Sequence, residues 1–201
     1  TTLFRSGARC FGNFAAALLH HDKTAPLPFE TMAGVVTATF EKDDNVTVNL
    51  TNPHSMQLFV LNADPTVGAD VHFLNTGVPH AVAFLDKLEG LDISRLGAYL
   101  RYHEAFSPKG TNANFARILS PGHIAIRTYE RGVEDETLAC GTGMTACALL
   151  HAVLTDAPSP IQVDVAGGDT LKVGFQRTGD RFTDVTLTGP ADLVFTGDIQ
   201  I

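Results

Sequence analysis

The densest chemistry in the chain lies in two neighbouring stretches, Tyr129-Glu130-Arg131-Gly132 and Thr137-Leu138-Ala139-Cys140-Gly141-Thr142-Gly143-Met144-Thr145-Ala146, joined by a short acidic link. The first reads as a strand tip that delivers one anion and one cation. The second reads as a glycine-rich turn that opens a helix. The amides of Gly141, Thr142 and Gly143 then fall among those a helix cannot satisfy from within. With the helix dipole they favour a carboxylate and also a thiolate. A free thiol titrates near about 8.5 and is lowered in such a setting, so Cys140 is expected to be exposed at the helix mouth and acidified there. Glycines at 141 and 143 let a ligand approach the backbone. This set suits an amino acid zwitterion, with Glu130 on an ammonium, the amides on a carboxylate and Arg131 on a second carboxylate. The plainer alternative is a glycine turn that only turns.

The other candidate groups read as structure. Cys147 sits on one side of an apolar helix and Cys10 among Ala8, Phe11 and Phe14, so both are expected to be buried. Three cysteines without a CxxC pair suggest neither a disulfide framework nor a zinc site. His20 and His21 are adjacent and diverge, and no HExxH spacing occurs, so no metal is expected.

Periodicity supplies the elements that must position this segment. Residues 8–21 read as a helix, with Phe11, Phe14, Ala15 and Leu18 at three- and four-residue spacing and Pro26 and Pro28 as a stop. Strands are predicted over 32–40, 45–50, 57–61, 71–75 and 80–84. Asp92 caps a helix to about residue 103 with Ile93, Leu96 and Leu100 inward. Strands follow at 114–119 and 123–129, then a helix from Cys140 through Leu154. Four strands close the chain, at 161–165, 170–175, 182–187 and 192–199. Two apolar helices, each followed by many strands, imply an α/β (α+β) fold of two similar lobes, each a curled, largely antiparallel sheet around a helix. A boundary is expected near 68–70, because residues 62–70 are rich in Asp, Pro and Gly. The lobes are then 1–69 plus 190–201, and 70–189.

Composition excludes several classes. The chain has 201 residues, 44% of them hydrophobic and 18% charged, as in ordinary globular proteins. A net charge of −8 without a Lys/Arg cluster argues against nucleic acid or an anionic membrane as partner. The helical apolar runs are too short to span a bilayer and no targeting segment is visible. Free thiols fit a reducing cytoplasm.

The YERG and CGTG stretches closely resemble the second active-site motif of diaminopimelate epimerases. Other pieces fall in the same order: Glu30-Thr31-Met32-Ala33-Gly34 resembles the family's ETxxG strand, Gly77-Val78-Pro79-His80 its GxPH turn, residues 110–115 its GxNxxF stretch, and Gly189-Pro190-Ala191 its final GPA. The resemblance implies a cofactor-independent amino acid epimerase that interconverts LL- and meso-diaminopimelate for lysine and cell-wall synthesis. It implies no pyridoxal phosphate and no metal, and a small-molecule substrate as partner. One cysteine thiolate removes the α-proton while a second thiol protonates the opposite face, as inversion through a planar carbanion requires. By the same resemblance Cys140 matches a catalytic cysteine, and Gly141 and Thr142 match amides on the reacting carboxylate. Glu130 matches the residue facing the α-ammonium, while Arg131 and Asn112 match readers of the distal end. His80 matches a histidine near the cleft.

The match departs from the pattern at the amino terminus. The family's CGNGxRC motif aligns with residues 4–10, where Gly7, Arg9 and Cys10 agree but Phe4 stands at the leading catalytic cysteine. Arg5 and Ser6 replace a glycine and an asparagine, and Val78 replaces the asparagine of the GNPH turn. The family's preceding segment is absent. Two readings follow, a truncated product with a non-native start or a natural short form, and both leave one thiol where inversion needs two. Missing strands leave open edges, which a homodimer would cover. Two alternatives stand beside the epimerase: a phenazine-biosynthesis-type isomerase, which relies on a carboxylate, and a non-catalytic binding or dimerising remnant.

Overall fold

The computed structural model describes residues 5–31 and 34–197. Its three helices are α1 (Arg5–Leu18), α2 (Ile93–Tyr102) and α3 (Gly141–Thr155). Twelve strands run in order: β1 (Leu27–Thr31), β2 (Gly34–Phe40), β3 (Val46–Asn49), β4 (His54–Asp64), β5 (Ala69–Asn75), β6 (Pro79–Phe84), β7 (Asn112–Ser120), β8 (His123–Glu130), β9 (Asp135–Thr137), β10 (Ile161–Asp164), β11 (Thr170–Thr178) and β12 (Arg181–Gly189). They form one mixed sheet in the order β1-β2-β3-β12-β11-β10-β8-β7-β6-β5-β4, with β9 added beside β8. Among the described residues only β6–β7 and β8–β10 pair in parallel, as expected where α2 and α3 supply the crossovers.

The sheet curls around α3, an apolar helix buried from Gly141 to Ala152. A helix that is apolar all round must be covered all round. Leu74 and Val82 cover it from one arm of the sheet, and Ile161, Val173 and Leu187 from the other. Strand alternation sends the opposite residues outward. Ala81, Ala83, Ala113, Phe115 and Tyr129 pack with Ile93, Leu96 and Leu100 of α2. The predicted Asp92 cap is present, its carboxylate accepting from the Arg95 amide at 3.0 Å.

Two expectations are corrected. Of the strand expected at 192–199, residues 192–197 form none, with Leu193, Val194 and Phe195 exposed, and 198–199 lie outside the described residues; a short apolar run becomes a strand only where a neighbour's backbone completes its ladder. Cys10 is exposed rather than buried. The apolar stripe of α1 points outward: Phe14 is 59% and Leu18 66% exposed, while Ala16 and Arg9 are buried. Gly12 faces Ala38 so closely that a side chain there would collide, so α1 docks by its small residues. The segment after Pro26, read as a stop, is β1. Residues 68–70 lie where the β4–β5 hairpin turns and enters β5.

Candidate functional site

Cys140 stands at the N-cap position of α3 in an extended conformation, with φ −128° and ψ 106°. Its approach is fixed by three links. Arg127 on β8 grips Glu136 on β9 through two bonds of 2.7 and 2.6 Å, the bidentate form that fixes geometry as well as charge. The Gly167 amide holds the Leu138 carbonyl at 3.0 Å, and the Met144 amide bonds the Cys140 carbonyl at 2.8 Å, starting the helix. Thr76 on the β5–β6 turn donates to the Thr142 carbonyl at 3.0 Å.

Around this helix mouth the strand ends present polar side chains. Asn112, Asn114 and Thr128 occupy the face opposite Ala113, Phe115 and Tyr129, which pack on α2. Asn114 is fully used: its amide nitrogen meets His80 Nδ1 at 3.1 Å and the Ala81 carbonyl at 3.0 Å, and its oxygen accepts from Thr128 at 3.0 Å. Asn112 donates to the Pro79 carbonyl at 2.9 Å and accepts from the Arg131 amide at 2.8 Å. Glu130 accepts from the Thr137 hydroxyl at 3.2 Å.

The thiol is not acidified in this unliganded state. Cys140 is only 6% exposed, and burial, followed by the charge of Glu130, pushes its pKa up to about 11. The Thr142 hydroxyl, 3.5 Å away, and the amides of Gly143 and Thr142 pull the other way and lose. Expecting an exposed, acidified thiol neglected desolvation, which in a dry pocket outweighs a helix mouth. Glu130 therefore acts on the sulfur as a like charge. Cys147, about two helix turns deeper, is buried with its thiol pushed higher still by burial.

Glu130 and Arg131 diverge. Glu130 lies on the side of Cys140, whereas Arg131 lines a cleft of about 430 Å³ with residues 77–79, Phe106, Lys109 and Gly110, and its guanidinium bonds the Lys109 carbonyl at 3.2 Å. Of the predicted residues, Cys140, Gly141, Thr142 and Glu130 gather at the α3 mouth. Asn112 ties the Pro79 carbonyl to the Arg131 amide, meeting Arg131 through its backbone rather than its side chain. His80 is wholly buried under Asn114. Sequence reasoning missed Thr76, Asn114, Thr128 and Thr137; the signal was the alternation of polar residues at 112, 114, 128 and 130 on otherwise apolar strands. Phe4 lies outside the described residues. Among the described residues no group of His, Cys, Asp and Glu could hold a metal, and no helix is long and apolar enough to cross a membrane.

The diaminopimelate epimerase family model matches residues 72–194, the stretch that contains every group at the α3 mouth. The chain belongs to the diaminopimelate epimerase family. It is 41% identical over 197 residues to the diaminopimelate epimerase of a Hydrogenobaculum species, covering 96% of this chain and 68% of that protein. It is 42% identical over 174 residues to that of Aquifex aeolicus, covering 86% and 61%. The chain thus spans roughly two thirds of these relatives' length. Among solved structures, a probable proline racemase from Agrobacterium radiobacter K84 superposes with TM-score 0.66 at 20% identity, over 91% of this chain and 63% of that one. A phenazine biosynthesis protein of the PhzF family from Bacillus anthracis gives 0.62 at 12%, over 89% and 70%. These likenesses show the fold alone. Kinship with the diaminopimelate epimerases supports the epimerase reading over the phenazine-type isomerase.

Proposed function

We propose that this chain carries the carboxy-terminal half-site of a cofactor-independent epimerase acting on diaminopimelate, with Cys140 as the group that exchanges the α-proton on one face. The observation that carries the reading is the placement of one thiol at the α3 mouth beside Glu130, in a chain whose sequence belongs to this family. The reacting carboxylate is taken by the amides of Gly141 and Thr142, and the α-ammonium by Glu130. Arg131 and Asn112 serve the distal end. The substrate is a small molecule, the setting cytoplasmic, and neither cofactor nor metal is needed.

Burial explains how the thiol waits. With a pKa near 11, only about one Cys140 in ten thousand is thiolate at neutral pH. An ammonium docked on Glu130 neutralises the second of the two causes that hold the proton on sulfur, and it adds a positive charge nearby. Substrate binding is thus coupled to thiolate formation. The thiolate then takes the α-proton while the amides of the helix mouth stabilise charge growing on the carboxylate.

Inversion needs a second acid on the opposite face, and the aligned position is Phe4. Cys10 lies on the exposed side of α1. This chain alone is therefore expected to exchange the α-proton with retention. The lobe division 1–69 plus 190–201 and 70–189 belongs to the proposal; Asn13 of α1 holding the Ala191 carbonyl at 2.8 Å supports the joining of both chain ends. A homodimer belongs to it too, supported by the open edge strands β1 and β4 and by the exposed α1 stripe.

Incubation with LL-diaminopimelate in heavy water tests the reading. Deuterium at the α-carbon without meso product is the expected result. Deuterium with meso product indicates a second acid within the chain, and no deuterium favours the non-catalytic remnant.

A further inference from the structure

The carboxylate that meets the α-ammonium in the epimerase reading is held from the neighbouring strand. Glu130 closes β8 and is half-buried. Thr137 Oγ1 on β9 lies 3.2 Å from Glu130 Oε2. An ionised carboxylate only accepts, so the hydroxyl donates. The contact follows from register. Thr137 pairs with Thr128 and Asp135 with Glu130, and residues two apart on a strand share a face. Thr137 is therefore the diagonal neighbour of Glu130, within side-chain reach.

The hydroxyl stands on a fixed backbone. On one side Glu136 is gripped by Arg127 through bonds of 2.7 and 2.6 Å. On the other the Leu138 carbonyl accepts from the Gly167 amide at 3.0 Å. Asp135 stands directly across from Glu130, where a like charge is unfavourable. Its carboxylate is engaged elsewhere, accepting from Ser94 of α2 at 2.9 Å and from the Glu136 amide at 2.8 Å. A threonine in a strand usually does no more than suit the sheet. Here its side chain spans to the acid, three residues before Cys140 in the chain.

We propose that Thr137 is a positioning residue for the α-ammonium site, its hydroxyl fixing the Glu130 carboxylate before the ligand arrives. The role rests on the epimerase reading, in which Glu130 takes that ammonium. A glutamate left free gives up several rotamers when a ligand orders it, a loss of about tenfold in affinity. Thr137 removes that loss in advance, because one oxygen is already placed. With Oε2 engaged by the hydroxyl, Oε1 is the oxygen presented to the ammonium. Pimelate is the matched probe, because it is diaminopimelate without its two ammonium groups.

The test is calorimetric binding of LL-diaminopimelate and pimelate to the wild-type chain and to Thr137→Val and Thr137→Ser. Valine keeps the branched shape and removes only the hydroxyl. Thr137→Val is expected to weaken diaminopimelate binding about tenfold and to leave pimelate binding unchanged. Thr137→Ser, which keeps the donor, is expected to restore most of the loss. Equal binding of diaminopimelate by wild type and Thr137→Val, an equal loss for both ligands, or no recovery in Thr137→Ser overturns the inference. If the wild type still exchanges the α-proton in that case, the epimerase reading survives without it. If the wild type binds neither ligand, both fall together.

Discussion

The side-chain oxygen of Asn114 fills the space into which any side chain at Gly143 would project. That contact joins the first turn of α3 to the buried Asn114–His80–Thr128 network and sets how near the helix mouth lies to the strand ends. Gly143→Ala is therefore expected to push α3 away or break the network, at a cost of about 2–4 kcal/mol. Urea unfolding should show a midpoint shift of that size. An unchanged midpoint would mean that the mouth of α3 is loosely seated.

Burial and Glu130 together hold the proton on Cys140, so its reactivity should climb with pH. Because thiolate is the reactive form, alkylation should rise about tenfold per unit below the pKa and level off only near about 11. Glu130→Gln removes the like charge, lowers the pKa and should speed alkylation at pH 8 severalfold. A plateau near pH 8 in the wild type, or no response to Glu130→Gln, would contradict the assignment of causes. Mass spectrometry must follow the Cys140 peptide itself, since Cys10 is exposed and will also react.

The same shift carries a stability consequence. A thiol whose folded pKa lies above its unfolded one keeps its proton in the fold while the unfolded chain loses it. Cys140 and Cys147 are both raised, so their contribution to stability should be constant below about pH 8.5 and decline as pH rises beyond it. Denaturation midpoints at pH 7 and pH 10 test the sign, and Cys147→Ala should shrink the decline.

Arg9 presents the opposite case, a buried cation whose Nε and Nη1 have no hydrogen-bond partner. Burial lowers its pKa, offset in part by Cys10 and Asp169. Replacing a buried unpaired charge by an apolar side chain of similar length is often neutral or stabilising. Arg9→Met is expected to hold or raise stability by up to about 3 kcal/mol. A large loss in thermal or urea unfolding would show that the guanidinium has a partner in solution.

The exposed stripe of α1 should drive self-association. Phe14→Glu with Leu18→Lys is expected to shift the chain from dimer towards monomer in light scattering across a concentration series, with little change in stability. A wild type that stays monomeric at high concentration contradicts the dimer.

Much of the fold was legible because its signals are local. Leu171, Val173 and Phe175 alternate on a half-buried strand, and Asp92 caps α2 as its residue type predicts. Where partners decide the outcome, sequence misled. Phe11, Phe14 and Leu18 mark a helix but not which side of it meets the body, and Leu193 to Phe195 form an apolar run without a neighbouring strand. At the site, chain order gave the cluster of Cys140, Gly141, Thr142 and Glu130. The missing quantity was desolvation: spacing reveals a helix mouth, but not the burial of the sulfur, which arises where segments distant in sequence, such as the β5–β6 turn with Thr76, close on the start of α3. The split of Glu130 from Arg131 follows from strand alternation and was there to be read.

The most direct test follows deuterium at the α-carbon of LL-diaminopimelate in heavy water with the wild-type chain and with Cys140→Ala. Exchange by the wild type that disappears in Cys140→Ala, while Cys10→Ala exchanges normally, is the predicted result. Exchange that persists in Cys140→Ala would contradict the central claim, because the proton would then be leaving through some other group.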